Sequence, residues 1–280
     1  MAKLLDALGA ADGLTRYVGG AVRDGLLGLP VNDVDLATRL RPDEVVERLQ
    51  VAGLKAVPTG FDHGTVTAVS DGHPYEVTTL RRDVETFGRR ATVAYTDDWS
   101  EDAARRDFTI NALMADPATG EVFDYFGGLD DLEERHVRFI GDPFERIAED
   151  HLRILRFFRF HARFGRGVPD SAALRACTER ANDLMALSRE RIADELLKLL
   201  AVDDPSPTVR AMLDCDVLKP VLPEITRNAV EPLEALIAAE RKAQIAPDPI
   251  RRLVALLPRD PAVSETIAAR LKLSNKARKR

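Results

Sequence analysis

The sequence predicts an α+β chain, with an N-terminal mixed α/β head followed by all-helical domains. Three observations carry that reading. Short β-branched runs bounded by turn residues occupy the first 126 positions, as in residues 64–69 (GTVTAV) and 75–80 (YEVTTL) on either side of SDGHP. From residue 127 onward the apolar period becomes that of helices, with Pro and Gly in nearly every gap. Charge divides at the same place: residues 1–140 carry 15 Lys+Arg against 25 Asp+Glu, and residues 141–280 carry 25 against 21. An acidic half joined to a basic half suits a metal-binding unit fused to a unit that holds a polyanion, even though the whole chain carries a net −6.

Composition removes several classes. With 45% hydrophobic and 31% charged residues, the chain is globular rather than disordered. No apolar run approaches the roughly 18–20 residues of a membrane span, and the start MAKLLDALGAADG lacks the apolar core of a signal peptide. The two cysteines, Cys177 and Cys215, form no CxxC pair, which argues against a disulfide framework or a Cys-rich zinc site. A cytoplasmic, reduced protein without membrane contact is expected.

In chain order, residues 15–18 read as a strand, Gly19-Gly20 as a turn and 21–27 as a helix. A strand at 33–37 precedes a helix at 42–50, where Pro42 suits the first turn. After the two strands around SDGHP, residues 84–104 are polar, arginine-rich and weakly patterned, and are expected to form a long mobile loop closed by Trp99. Residues 108–115 and 121–124 read as strands across the turn DPATG. Helices are expected at 129–135, 143–164, 171–183, 189–200, 207–215, 232–243, 249–257 and 262–271. The expected division is a head at 1–126, a helical neck at 127–200 and a helical body at 201–280.

The chemistry begins with Asp33-Val34-Asp35. On a strand, residues i and i+2 share a face, so two carboxylates converge and repel until a divalent cation relieves them. Hard oxygen donors at this spacing suit Mg²⁺ or Mn²⁺. Two surface aspartates on an edge strand are common, so the pair is weak alone. Its context is stronger: YVGGAVRD, residues 17–24, runs from a strand through Gly19 and Gly20 into a helix start. Backbone N–H groups there can approach a triphosphate, and Arg23 stands on the first turn. Glu76 lies on an alternating strand and is a candidate third carboxylate.

GGAVRD…DVDLA, EVTTLRRD, RRDFTINAL, DYFGG, EDHLRILRFFRF and LSRERIADELLKLL follow one another over residues 15–225. In this order they resemble the motifs of class II tRNA nucleotidyltransferases, the CCA-adding enzymes, which are grouped with bacterial poly(A) polymerases. The resemblance implies a nucleotidyltransferase head in which Asp33 and Asp35 bind two metal ions and support attack of a primer 3′-hydroxyl on the nucleotide α-phosphate, with release of pyrophosphate. It implies that Gly20 and Arg23 meet the triphosphate, that Arg106 contacts the nucleotide, and that Asp107 and Asn111 address the sugar and nearby backbone.

Asp150 and Arg153, read as the start of a helix, stand three apart and so share a face. A plain ion pair is the simplest account of that spacing. The hydrogen-bond inventory supplies another. Cytosine and adenine each present an amino donor beside a ring-nitrogen acceptor, whereas uracil and guanine present the reverse order. A carboxylate that accepts and a guanidinium that donates therefore match C and A and reject U and G without a template. Arg156 and Arg159 continue the series and match nucleotide-contacting positions of the family. Glu149 is expected to hold Arg153 or cap the helix. The five histidines share no metal-ligand spacing and read as ordinary polar residues.

The function implied is template-independent addition of CMP and AMP, from CTP and ATP, to the 3′ end of tRNA by a monomer. CC-adding, A-adding and poly(A)-adding enzymes are alternatives within the same superfamily, and a non-catalytic RNA-binding module is one outside it. A full-length segment at 84–104 favours A addition, and the paired aspartates argue against pure binding. Family members commonly continue into a helical tail that grips the tRNA elbow. Here that tail is expected to be truncated or absent.

Overall fold

The computed structural model describes residues 1–87 and 90–278 and divides into two compact units, Met1–Glu134 with Phe139–Gly141, and Arg135–Arg138 with Asp142–Arg280. The first holds β1 (Thr15–Val18), β2 (Asp35–Thr38), β3 (Lys55–Gly60), β4 (Thr65–Ser70), β5 (His73–Thr79), β6 (Arg81–Phe87), β7 (Arg90–Tyr95), β8 (Met114–Ala115) and β9 (Val122–Phe123). Its helices are α1 (Ala2–Ala7), α2 (Gly20–Leu26), α3 (Pro42–Val51), α4 (Trp99–Ala104) and α5 (Gly128–Glu133). Seven strands form one sheet in the order β3-β4-β5-β2-β1-β8-β9, in which β2 and β5 run parallel and the other neighbours antiparallel.

Alternation along β2 covers both faces of this sheet. Leu36 packs with Leu4, Leu8, Val45, Leu49, Val66 and Val77 under α1 and α3, while Ala37 packs with Val18, Leu80, Trp99, Ala103 and Met114 under α4. Burying each large apolar side chain stabilises the fold by about 1.5–3 kcal/mol. Asp35 lies two residues before Ala37 and so belongs to the α4 face.

Residues 84–104 differ from the expected mobile loop. The chain turns there into the antiparallel hairpin β6–β7, then into α4, whose N-terminus is capped by the Asp98 carboxylate accepting from the Ser100 N–H at 2.8 Å. Residues 88 and 89, within the expected loop, lie outside the described residues. Trp99 is the anchor that holds α4: it is buried in the core, with the Arg16 guanidinium 4.3 Å from its ring centre. The expected strand at 108–115 shrinks to β8 because residues 109–111 form a 3-10 turn, where Gly128 packs so closely that a Cβ would stand 2.4 Å from the Thr109 carbonyl oxygen. The Asp124 carboxylate fixes the start of α5 by accepting from the backbone of Gly128 and Leu129, each at 2.9 Å.

The second unit is helical: α6 (Pro143–Glu149), α7 (Arg153–Phe164), α8 (Ser171–Glu179), α9 (Arg189–Leu200), α10 (Ser206–Asp214), α11 (Val230–Lys242), α12 (Pro249–Leu256), α13 (Pro261–Arg270) and α14 (Asn275–Arg278). The expected helix at 143–164 breaks at Asp150, which takes φ −150° and ψ 106°. Its side chain accepts from the Leu152 N–H at 3.1 Å, a local bond that competes with helix continuation. Contacts of the second unit cross residue 200, the expected limit between neck and body. Buried Arg252 on α12 donates to the carbonyls of Leu200 at 2.8 Å, Val202 and Asp203 at the end of α9, and to Glu240 of α11 at 2.9 Å. One guanidinium thus joins three helices across the expected boundary.

Candidate active site

In the first unit, candidate residues collect at one end of the sheet. Asp35 opens β2, in register with Val18 of β1 on one side and Glu76 of β5 on the other. Paired residues on parallel neighbours leave the same face, so the carboxylates of Asp35 and Glu76 stand side by side. Burial raises the Asp35 carboxyl above its ordinary range and the charge of Glu76 adds to that rise. The Arg106 guanidinium pulls it down, and Asp33 contributes a smaller upward push. The strand expected at 33–37 therefore begins two residues late. Asp33 lies in the lead-in to β2 rather than on its ladder, because pairing with β1 starts at Asp35.

The chain leaves β1 through Gly19, whose φ of +64° and ψ of −125° suit glycine. A Cβ at Gly19 would stand 3.0 Å from Nη1 of Arg106, so the missing side chain lets that guanidinium approach the turn. Arg106 Nη1 also donates to the Asn111 carbonyl at 3.4 Å. Gly20 opens α2, whose next turn carries Arg23. Arg23, expected to reach phosphates, is buried and donates to Asp24 at 2.8 Å and to the Asn111 side-chain oxygen. The Asn111 amide donates to Asp107 at 2.9 Å, and the same Asp107 oxygen accepts from the Phe108 N–H at 2.9 Å. Asp107, Asn111 and Arg23 thus form one network that shapes the wall beside the glycine turn.

Sequence reasoning missed Asp102. This buried carboxylate accepts from Arg105 Nε at 2.8 Å, Arg106 Nη2 at 3.2 Å and the Arg81 backbone N–H at 3.3 Å. Burial pushes its pKa up, the two arginines pull it down, and the net position is below the ordinary carboxylate range. The spacing in EDAARRD was the available signal, since i+3 and i+4 arginines share a helix face with Asp102.

In the second unit, Asp150 and Arg153 are joined through the backbone, the Arg153 N–H donating to the Asp150 carbonyl at 2.9 Å, and their side chains bond to residues on either side of the helix break. Asp150 accepts from Arg191 of α9 at 2.7 Å. Arg153 donates to Glu149 at 2.5 Å and to the Arg146 carbonyl at 3.0 Å. Ion pairs of Glu149 with Arg146 and Arg153, and of Asp150 with Arg191, flank the helix break, where Asp150 takes extended backbone. Arg159 Nε lies 2.6 Å from buried Glu195 of α9, and Arg156 lies 3.9 Å from the same carboxylate. Arg191 and Glu195 were not singled out from the sequence, although both lie in LSRERIADELLKLL.

Residues 15–138 match the family described as "Poly A polymerase head domain", and residues 169–228 the one described as "Probable RNA and SrmB- binding site of polymerase A". Human "CCA tRNA nucleotidyltransferase 1, mitochondrial" is 44% identical over 205 residues, covering 72% of this chain and 47% of that protein. The crystal structure of the Bacillus stearothermophilus CCA-adding enzyme in complex with CTP aligns with a TM-score of 0.73 at 29% identity, covering 100% of this chain and 66% of that one. A tRNA nucleotidyltransferase complexed with a primer tRNA and an incoming ATP analog gives 0.77 at 26% identity, covering 96% and 80%. Fold and site together define a polymerase-type nucleotidyltransferase head followed by a helical unit. The chain belongs to the family of CCA-adding tRNA nucleotidyltransferases and bacterial poly(A) polymerases. It spans about half the length of the curated relatives it matches.

Proposed function

We propose that this chain adds CMP and AMP, from CTP and ATP, to the 3′ end of tRNA without a template. The observation that supports this most directly is the pairing of Asp35 with Glu76 at the sheet end that also carries the Gly19 turn and Arg106. Two carboxylates side by side, one pushed upward by burial and by the other's charge, form a hard-oxygen site that a divalent cation would relieve. Among the described residues no three His, Cys, Asp or Glu side chains form a complete metal-ligand group. Mg²⁺ takes one or two protein carboxylates at a time and completes its shell with water and phosphate oxygens. Asp35 and Asp33, with Glu76 as a third donor, would hold two Mg²⁺ ions or Mn²⁺. When bound, these supply charge that lowers the barrier to attack of the 3′-hydroxyl on the α-phosphate with pyrophosphate leaving.

The chain's own residues do the rest. The Gly19–Gly20 turn brings backbone close to the triphosphate, and Arg106 donates beside it. Arg23, Asp107 and Asn111 hold the shape of that wall. In the helical unit Asp150 accepts and Arg153 donates to the Watson–Crick edge of C or A, with Arg156 and Arg159 beside them as nucleotide contacts. The relatives named as CCA-adding enzymes support the CCA reading over CC-only, A-only or poly(A) addition. The proposal extends to a monomer in a reduced, cytoplasmic compartment, which the free thiols of Cys177 and Cys215 suit. No helix among the described residues is long and apolar enough to cross a membrane.

The test is incubation with tRNA lacking CCA and each nucleotide separately and together, followed by sequencing of product ends. Two C residues with CTP alone and a terminal CCA with both support the proposal. Runs of A from ATP alone would show a poly(A) polymerase, and no extension would show a binding module.

A further inference from the structure

Asp102 is 1% exposed and stands one helical turn before Arg106. Its Oδ1 accepts from Arg105 and from the backbone N–H of Arg81, the first residue of β6, and its Oδ2 accepts from Arg106. The same Arg106 lies against the Gly19 turn and pulls the Asp35 carboxyl down. One buried carboxylate therefore links the root of the β6–β7 hairpin to the arginine of the nucleotide site. Without it, the neighbouring guanidiniums of Arg105 and Arg106 would face each other with no shared counter-charge, and Arg106 would lose the contact that sets its direction.

We infer that Asp102 is a positioning residue for nucleotide binding: it aims Arg106 at the Gly19 turn and ties that arginine to the root of the β6–β7 hairpin. The inference rests on the reading that Arg106 meets the incoming nucleotide. Asp102 itself is 1% exposed, so it acts through Arg106.

The experiment measures KM for CTP, KM for tRNA lacking CCA, kcat and melting temperature for the full chain with Asp102→Asn, Arg106→Ala and the double substitution. Asp102→Asn keeps an acceptor for Arg81 but removes the charge between the arginines. It is expected to raise KM for CTP about ten-fold, as for loss of a hydrogen bond to a charged group, with a smaller change in KM for tRNA. Arg106→Ala is expected to raise KM for CTP at least as far. If Asp102 acts through Arg106, adding Asp102→Asn to Arg106→Ala raises KM no further, whereas independent effects would multiply. Multiplication, or a lowered melting temperature with unchanged KM for CTP in Asp102→Asn, overturns the inference. An unchanged KM in Arg106→Ala overturns the reading of Arg106 itself. Should Asp102→Asn fail to fold, Asp102→Glu keeps the charge and displaces it by one methylene. A KM for CTP that Asp102→Glu raises in the native background but raises no further when added to Arg106→Ala supports the inference, and an unchanged KM in Asp102→Glu alone overturns it.

Discussion

Asp35 and Glu76 stand in register on the parallel strands β2 and β5, so their carboxylates leave one face of the sheet side by side. Removing either relieves the crowding but also removes a hard oxygen donor. Asp35→Ala is expected to abolish incorporation with Mg²⁺ while CTP binding and the circular dichroism spectrum persist. Glu76→Gln is expected to retain partial incorporation, because it keeps an oxygen but not the charge. Full incorporation by Asp35→Ala in Mg²⁺ would falsify the metal assignment.

The ion pairs around the break between α6 and α7 set up a second prediction. A hydrogen-bonding contact to a base edge discriminates by roughly 1–3 kcal/mol, about 5- to 150-fold. Asp150→Ala is therefore expected to lower the ratio of incorporation efficiencies, CTP over UTP, by that range. Triphosphate affinity should hardly change. The ratio comes from single-nucleotide extension kinetics on tRNA lacking CCA, and an unchanged ratio removes Asp150 from base recognition.

A third prediction concerns pH. Burial opposes ionisation of Asp102, but Arg105 and Arg106 outweigh it, and the folded carboxyl lies below its ordinary range. Its contribution to stability is then fully present above the ordinary carboxylate range and is lost as pH falls through the lowered folded value. Asp102→Asn should be less stable than wild type at neutral pH, and the two melting temperatures should converge in acid. A difference independent of pH would show that the charge of Asp102 does not contribute.

Arg252 carries the fourth. It is 1% exposed, caps the carbonyls at the end of α9 and pairs with buried Glu240. Arg252→Ala leaves that carboxylate without one of its guanidinium partners and the carbonyls without a donor, and is expected to destabilise the fold by about 3–5 kcal/mol in denaturant unfolding. A loss under about 1 kcal/mol would mean that Arg251, 2.5 Å from the same carboxylate, suffices for Glu240.

Local pattern determined much of this protein from sequence alone. The strand β1 and the helix α9 occupy the residues their periodicity marks, 15–18 and 189–200, because alternation and 3.6-residue spacing are properties of neighbouring residues. The glycine turn was legible for the same reason. Other features depended on partners distant along the chain. Residues 84–104 lack an apolar pattern, yet 81–87 pair with 90–95, and the following helix is held by a tryptophan in a core supplied by β1, β2 and β8. The helix at 143–164 breaks because Asp150 satisfies its side chain at Leu152 and at Arg191, forty-one residues away in sequence. Register decided the site as well: spacing alone favoured Asp33 as the neighbour of Asp35, but pairing across β2 and β5 puts Glu76 there. Tertiary structure alone made Asp102 a hub, since a carboxylate becomes one only when burial removes water and leaves the three donors around it as its partners.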